Sequence, residues 1–397
     1  MPRTARVIPP LALALALLAP AGFSPPAAAG VKLITLPGRE RVEIQLDHPG
    51  VTLVEEERIV PLAAGVNDVV FAWANANIDK DSIQLRCLTD PTQIRVLSVS
   101  YPPGENALTW QVSSPAAGSA RVRISYIIGQ LSKTFAYRAV AANDERTLTL
   151  WQYIELHNQA SESFGVTGMW PGFGERLERP IGGNETKRLL ASKFDEVPVV
   201  KRYTADLSSH GYLDAAKRQL RIPMHYILQN DDAGGLGAFP LMPGKARIFQ
   251  DDGRGTVAFL GEDWASYTPR QKELALSLGV AKDIVVTRTI ERRDQRRVKG
   301  QLFDYDVVVK YEIENFKDSA VELDLAESMT ALRREIRGDT GRAVEWTFGT
   351  GGTLRNPDAD RSTADRPLFH VALPARGADQ KAVKTTVRLH VVIKNEW

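Results

Sequence analysis

Carboxylate side chains cluster in the central part of the sequence, and their types and spacing could support two kinds of chemistry. Asp251 and Asp252 are adjacent, Glu262 and Asp263 form a second adjacent pair, and Asp231 precedes both pairs. Carboxylate oxygens suit Ca²⁺, and paired carboxylic acids could hydrolyse a glycosidic bond as acid and as base or nucleophile. The spacing lacks the alternating Asp pattern of a calcium-binding loop, so we predict neither a metal ligand nor a catalytic residue here.

Cationic and aromatic residues lie in the same stretch, and they suit binding better than catalysis. Lys245 and Arg247 offer positive charges, and Trp264 adjoins a turn, where its ring can stay exposed for contact with a sugar or a protein. The predicted binding residues belong to the loops and strand ends of this stretch: Asp231, Lys245, Arg247, Asp251, Asp252, Arg254, Glu262, Asp263 and Trp264.

A β-hairpin must position most of these residues. Ala246–Gln250 and Thr256–Leu260 have the composition of two strands, and Asp251–Gly255 joins them. Asp can hydrogen-bond its own backbone and Gly adopts positive φ, which are the properties that a tight or bulged hairpin turn requires. A structural role in the turn is therefore the first interpretation of the acidic residues at its start.

Alternation of apolar and polar residues with a period of two runs through most of the chain. Val42–Leu46, Arg121–Tyr126 and Val387–Ile393 show it, and turns rich in Gly, Pro and Asp separate such segments. This pattern predicts an all-β fold of tandem antiparallel β-sandwich units, immunoglobulin-like and with little helix. Thr268–Glu273 resembles a helix start, but the leucines that follow recur at period two, so we predict a strand entered through a turn.

The first 29 residues have the features of a secretory signal peptide. Arg3 and Arg6 give a positive start, Leu11–Ala19 a short apolar segment, and Ala27–Ala29 a small-residue cleavage site. We therefore predict export to the periplasm or the extracellular space and, after cleavage, no transmembrane helix. The predicted units that follow are an N-terminal β domain at 30–105, a middle β-sandwich at 106–230 and a C-terminal β-sandwich at 231–397.

Composition and motif content exclude several classes of function. The sequence has 50 Lys and Arg against 48 Asp and Glu, and loss of Arg3 and Arg6 with the leader leaves 48 of each, so no nucleic-acid surface is predicted. Cys87 is the single cysteine, which excludes an intrachain disulfide and a cysteine-based zinc site. The chain has no HExxH, G-x-S-x-G, P-loop or dinucleotide fingerprint, so no cofactor is predicted.

The most specific signal is a series of short segments in the central part of the chain, namely Arg221–Asp231, Gly235–Gly237, Pro243–Gly255 and Phe259–Asp263. Two weaker segments lie nearer the start of the chain, Trp73–Asp79 and Leu108–Trp110. These segments resemble a bacterial exported family of unknown function, whose domain also forms the C-terminal part of mucoidy-inhibitor-like proteins. The chain lacks the N-terminal region with a long helical hairpin of those proteins. The resemblance implies a β-rich architecture and an envelope location, and it supplies no catalytic residues.

These observations predict an exported cell-envelope protein that acts as a non-catalytic binding or scaffold protein, with an envelope protein or a glycan as its partner. Sheet edges and end loops would provide the contacts. Two alternatives stay open. The acidic loop residues could serve a glycan hydrolase or a calcium-dependent carbohydrate-binding protein. Val387–Trp397 alternates and ends on an aromatic residue, as the last strand of an outer-membrane β-barrel often does.

Overall fold

The computed structural model describes residues 32–48, 50–73, 76–206, 218–338, 341–377 and 381–397. The predicted signal peptide at residues 1–29 lies outside the described residues. Strands account for 60% of the structure and helix for 3%, which confirms the prediction of a mostly β chain with little helix. Within the described ranges, no helix has the length and apolar character needed to cross a membrane.

Strands follow one another along almost the whole described chain. In chain order they are β1 (Lys32–Thr35), β2 (Arg41–Gln45), β3 (Thr52–Leu62), β4 (Gly65–Ala72), β5 (Gln84–Cys87), β6 (Arg95–Ser100), β7 (Ala107–Ser114), β8 (Gly118–Ile128), β9 (Leu131–Ala141), β10 (Thr147–Asn158), β11 (Gly165–Trp170), β12 (Leu177–Ile181), β13 (Thr186–Pro198), β14 (Val200–Asp206), β15 (Arg218–Leu220), β16 (Pro223–Gln229), β17 (Gly244–Asp251), β18 (Val257–Ala265), β19 (Glu273–Val280), β20 (Ile284–Lys299), β21 (Leu302–Asn315), β22 (Val321–Ala326), helix α1 (Met329–Arg337), β23 (Glu345–Phe348), β24 (Leu368–Leu373) and β25 (Val383–Glu396).

The chain divides into two compact units, and the first holds the described residues within 1–40, 56–74 and 84–124. Its four-stranded sheet has the order β1-β4-β7-β6. Alternate residues of β7 are buried, as the period of two predicts for a half-buried strand. Phe71 anchors the core of this sheet, with ring centroids 5.6 Å from Trp73 and 5.9 Å from Trp110.

The second unit holds the described residues within 41–55, 75–83 and 125–397. It contains three five-stranded sheets, with the orders β13-β10-β9-β17-β18, β19-β16-β14-β22-β24 and β15-β20-β21-β25-β23. A further group of strands in this unit has the order β12-β11-β2. As predicted, the segment after Thr268 enters strand β19, whose Leu274 and Leu276 are buried.

The prediction of antiparallel sheets holds only in part, because several sheets are mixed. β17 pairs in parallel with β9, and β14 pairs in parallel with β22. About a hundred residues separate β9 from β17 along the chain, so no hairpin dictates an antiparallel arrangement of these two strands. Through this pairing the predicted binding hairpin becomes part of the sheet that also contains β9 and β10.

Helix α1 was not predicted, although its sequence carries a short helical signal. Ser328 caps its start, since the Ser328 hydroxyl oxygen accepts the N–H of Ala331 at 3.1 Å. Met329, Leu332 and Ile336 recur at helical spacing and are buried. In a chain dominated by period-two segments, nine residues are too few for this pattern to stand out.

A hydrophobic core of the second unit lies among the sheets β19-β16-β14-β22-β24 and β15-β20-β21-β25-β23 and helix α1. Arg288 of β20 is fully buried there, with its guanidinium 2.9 Å from Glu327 and 2.9 Å from Glu335 of α1. The Tyr311 hydroxyl donates to Glu327 as well. A buried arginine needs such partners, so this network fixes the position of α1 against the sheet.

Candidate functional site

The hairpin β17–β18 carries most of the predicted binding residues, and its turn uses two of the carboxylates. Asp251 accepts the N–H of Gly253 at 2.7 Å. Asp252 accepts the N–H groups of Arg254 and Thr256 at 2.8 and 3.1 Å, and the Thr256 hydroxyl at 2.6 Å. These hydrogen bonds, led by that from the Thr256 hydroxyl, lower the pKa of Asp252. Both carboxylates therefore stabilise the turn from within.

Glu262 forms ion pairs with two predicted cations of the facing strand. Its carboxylate lies 3.0 Å from Lys245 Nζ and 3.1 Å from Arg247 Nε. Hydrogen bonds from Lys245 and then from Arg247 lower the pKa of Glu262. Because a general acid at neutral pH needs a raised pKa, Glu262 is not poised to protonate a leaving group.

The remaining acidic residues of the prediction accept backbone N–H groups. Asp263 accepts those of Trp264 at 2.8 Å and Ser277 at 2.7 Å, and Asp231 accepts that of Gly234 at 2.6 Å. In the part of the chain that the structure describes, none of the predicted carboxylates belongs to a group of three side chains close enough to hold a metal ion.

A separate cluster of possible metal ligands is an ion-pair network. Glu322, Asp324 and His370 offer ligand atoms within 4.8 Å of one another. His370 uses both ring nitrogens, with Nδ1 2.9 Å from Asp324 and Nε2 2.9 Å from Asp358. Asp324 also accepts a hydrogen bond from Arg361 at 2.5 Å. Protein cations already balance these carboxylates, so we assign no metal to the cluster.

An open groove of about 520 Å³ lies on the exposed face of the sheet β13-β10-β9-β17-β18. All five strands of the sheet contribute to its lining: Thr134, Phe135, Ala136, Tyr137, Arg138, Tyr153, Glu155, Arg188, Lys245, Arg247, Phe249 and Trp264. Because rings and cations form its walls, we call it the aromatic–cationic groove.

The register of the strands explains why the groove is open. Tyr153, Ala136, Lys245 and Trp264 lie side by side on the consecutive strands β10, β9, β17 and β18. Neighbouring strands are about 4.8 Å apart, so the backbones that carry Tyr153 and Lys245 are separated by about 9.6 Å. The side chain between them is that of Ala136, which ends at Cβ and therefore forms a floor rather than a filling.

Arg138 occupies the next outward position along β9, and two aromatic rings hold its guanidinium. The guanidinium carbon lies 5.1 Å from the ring centroid of Trp151 and 5.2 Å from that of Phe249. Among the described residues Arg138 has no carboxylate partner, whereas Arg247, directly opposite on β17, pairs with Glu262. Cation–π contact positions the Arg138 guanidinium and leaves its planar N–H donors available.

The two sides of the groove differ in chemistry. On the side of β10 and β13, Arg188 donates to Glu155 at 2.7 Å and lies 5.7 Å from the ring centroid of Tyr153. On the side of β18, Trp264 is 60% exposed, as its position beside a turn predicts. The groove thus presents the Tyr153 ring, which contacts an ion-paired arginine, and the Trp264 ring, which is exposed to solvent.

Three residues of the sequence prediction line the groove, namely Lys245, Arg247 and Trp264. Glu262 contacts the groove through its ion pairs with the first two. The other predicted residues do not line it: Asp231, Asp251, Asp252, Arg254 and Asp263.

The half of the groove that lies on β9, β10 and β13 was not predicted from the sequence. Arg138, Tyr153 and Arg188 occupy positions whose side chains point away from the core in strands of alternating burial, and this alternation was the signal that could have identified them. Their approach to the hairpin depends on the parallel pairing of β9 with β17, which local patterns do not reveal. Comparison of the chain with protein-family models and with curated proteins returned no match.

Proposed function

We propose that the protein is a non-catalytic binding protein of the cell envelope and that it holds a glycan in the aromatic–cationic groove. The observation that carries this proposal is the row Tyr153, Ala136, Lys245 and Trp264. In this row the small Ala136 forms a floor, with the Tyr153 ring on one side and Lys245 and the Trp264 ring on the other. Exposed rings pack against apolar faces, and neighbouring polar groups orient what they bind.

A glycan fits this groove better than an extended peptide. β9 pairs with both β10 and β17, and β17 pairs with both β9 and β18. The backbone groups below the groove are therefore used within the sheet, and an added strand has no edge to pair with there. Recognition must come from side chains, which suits stacking of sugar rings on Tyr153 and Trp264.

Binding without catalysis is supported by the state of the carboxylates. Glu262 has a lowered pKa, first because of its hydrogen bond with Lys245. Glu155 pairs with Arg188. A hydrolase of this kind needs one protonated carboxyl and one free carboxylate, whereas both of these carboxylates are neutralised by cations.

Three further elements of this proposal come from the sequence. Export to the periplasm or the extracellular space is supported by the signal-peptide features of residues 1–29. Membership of the bacterial exported family of unknown function is supported by segments such as Pro243–Gly255. A tandem immunoglobulin-like arrangement of the units is supported by alternating burial along strands such as β10.

The test is binding of the chain without residues 1–29 to an array of neutral and acidic envelope oligosaccharides, followed by calorimetry on the oligosaccharides that bind. Trp264→Ala and Ala136→Leu should each weaken binding by about tenfold or more, because one removes a ring and the other fills the floor. Trp397→Ala is the matched control, since Trp397 lies outside the groove and is 57% exposed against 60% for Trp264.

Thermal unfolding of each variant shows whether the fold is retained. If Trp264→Ala and Ala136→Leu fold normally and bind every oligosaccharide like the unmodified chain, the groove is not the binding site. If no oligosaccharide binds the unmodified chain, the glycan proposal is wrong, and crosslinking for a protein partner becomes the next experiment.

A further inference from the structure

Positive charge exceeds negative charge along the aromatic–cationic groove. Four cations line it, listed with their strands as Arg138 on β9, Arg188 on β13, and Lys245 and Arg247 on β17. Two carboxylates neutralise part of this charge: Glu155 pairs with Arg188, and Glu262 is shared by Lys245 and Arg247. Four cations against two carboxylates leave an excess of two positive charges on one open sheet face.

The excess is concentrated at the pair Arg138 and Arg247. These residues lie directly opposite each other on the adjacent strands β9 and β17. Like charges in that arrangement repel, and Glu262, the carboxylate that pairs with Arg247, also accepts from Lys245. The rings of Trp151 and Phe249 hold the Arg138 guanidinium without neutralising it. An anion placed between the two guanidinium groups would relieve the repulsion.

We propose, building on the function proposed above, that the ligand of the groove is an acidic glycan containing uronic acid residues, and that Arg138 together with Arg247 receives a sugar carboxylate. A planar guanidinium can bind a carboxylate through two parallel hydrogen bonds. The Tyr153 and Trp264 row lies two residues further along the strands, or about 7 Å away. One ligand can therefore place its carboxylate at the arginines while its rings contact the aromatic side chains.

Each part of the groove contributes a different interaction with the ligand. Trp264 and Tyr153 contribute contact with sugar rings, whether these are charged or neutral. Arg138 contributes the preference for charge, because its guanidinium is the one in the groove without a carboxylate partner among the described residues. Loss of Trp264 should therefore weaken binding of every glycan, whereas loss of Arg138 should weaken binding of acidic glycans more than that of neutral ones.

The test compares two probes that share one sugar backbone and differ at the carboxyl group, oligogalacturonate and the same oligosaccharide with all carboxyl groups methyl-esterified. Titrations contain EDTA, so that calcium bridging of the acidic probe does not contribute. We expect the chain without residues 1–29 to bind the acidic probe at least about tenfold more tightly, with an affinity that falls as salt is added. Arg138→Gln should remove this preference, so that the variant binds the acidic probe no more tightly than the methyl ester.

Arg254→Gln is the matched control, because Arg254 is an exposed arginine at the turn of the same hairpin and does not line the groove. Equal binding of the two probes, or an Arg138→Gln variant that keeps the preference, would overturn the acidic-glycan inference while leaving glycan binding intact. Binding of poly-glutamate as tight as that of oligogalacturonate would overturn it in favour of an acidic peptide. Failure of the proposed function itself is seen separately, as unchanged glycan binding by Trp264→Ala.

Discussion

Two sheets of the second unit present charged faces, and they use their charges in opposite ways. On the sheet β19-β16-β14-β22-β24, Arg202 lies 3.0 Å from Glu273 and 3.5 Å from Asp324. His370 continues the series, 2.9 Å from Asp324 and 2.9 Å from Asp358. Carboxylates and cations alternate along the series Glu273, Arg202, Asp324, His370 and Asp358, so this ion-pair ladder satisfies itself.

On the sheet β13-β10-β9-β17-β18, not every cation is paired with a carboxylate. Arg138 faces Arg247 across adjacent strands, and aromatic rings rather than carboxylates hold the Arg138 guanidinium. Ala136 leaves room beside these cations, whereas Arg202 and His370 of the ladder lie against carboxylates. A charged sheet face therefore becomes a binding candidate where the fold leaves a charge unpaired and leaves space beside it for a ligand.

The largest effect should come from breaking the ladder at its centre. Asp324 is 4% exposed and pairs with Arg202, Arg361 and His370. Asp324→Ala leaves these partly buried cations without their shared carboxylate, so we expect a loss of about 2–3 kcal/mol in the free energy of unfolding. Urea unfolding at neutral pH measures it.

The matched variant on the other face is Glu262→Ala. Glu262 also pairs with two cations, Lys245 and Arg247, but these three side chains are 39–50% exposed and water can replace the lost partner. We expect its effect on the free energy of unfolding to be a small fraction of that of Asp324→Ala. If the two substitutions cost the same, the distinction between a self-satisfied face and an incomplete face is wrong.

The hairpin turn could have a purely structural role or could bind Ca²⁺, and a substitution with a smaller effect on stability distinguishes the two. Asp252 accepts two backbone N–H groups and the hydroxyl of Thr256. Asp252→Ala should therefore lower the unfolding temperature, by less than Asp324→Ala does, and should leave glycan binding in the groove unchanged. Differential scanning calorimetry with and without Ca²⁺ tests this prediction against the calcium alternative.

Thr256→Val is the control for Asp252→Ala, because it removes the hydroxyl donor and keeps the carboxylate. If the two substitutions lower the unfolding temperature by similar amounts, the turn depends on this hydrogen bond. A Ca²⁺-dependent rise in unfolding temperature that Asp252→Ala abolishes would instead make the turn an ion-binding site and contradict its purely structural role.

The strands could be predicted from the sequence because alternation is a local property. Val387–Ile393 shows the period of two in the sequence, and the structure places it within β25. The hairpin β17–β18 is likewise set by the short turn Asp251–Gly255. Helix α1 escaped prediction, since nine residues give too little periodicity among segments that alternate.

The groove could be predicted only in part, because its two halves are distant in sequence. Lys245 and Trp264 belong to the hairpin that drew attention through its motif. Arg138 and Tyr153 belong to β9 and β10, which meet the hairpin through the parallel pairing of β9 with β17. Hydrophobic alternation fixes which face a residue points to, but it does not specify which distant strand becomes its neighbour.

The smallest predicted effect concerns two histidines of the ladder sheet that should respond to pH in opposite directions. For His370, burial disfavours the charged ring, but hydrogen bonds to Asp358 and Asp324 outweigh it and raise the pKa above its ordinary 6.5. For His225 on β16, burial lowers the pKa below 6.5. The negative charge of Asp263 opposes this shift, and the positive charge of Arg202 adds to it.

The sign of each contribution follows from proton linkage. His370 binds a proton more tightly in the folded state, so its stabilisation is complete below about pH 6.5 and is lost as the pH rises through the raised value. His225 binds its proton less tightly when folded, so it destabilises the fold as the pH falls below about 6.5. Each effect should be below about 1 kcal/mol, since solvent weakens pairs of partly exposed groups.

Urea unfolding of His370→Gln and His225→Gln between pH 5 and 8.5 measures these contributions. Compared with the unmodified chain, His370→Gln should lose more stability at low pH than at high pH. His225→Gln should become relatively more stable at low pH, because the penalty for a buried charged ring is gone. If both variants shift the pH dependence in the same direction, the carboxylates of the ladder do not hold the proton of His370, and the ladder is not the closed ion-pair series that distinguishes this face from the groove.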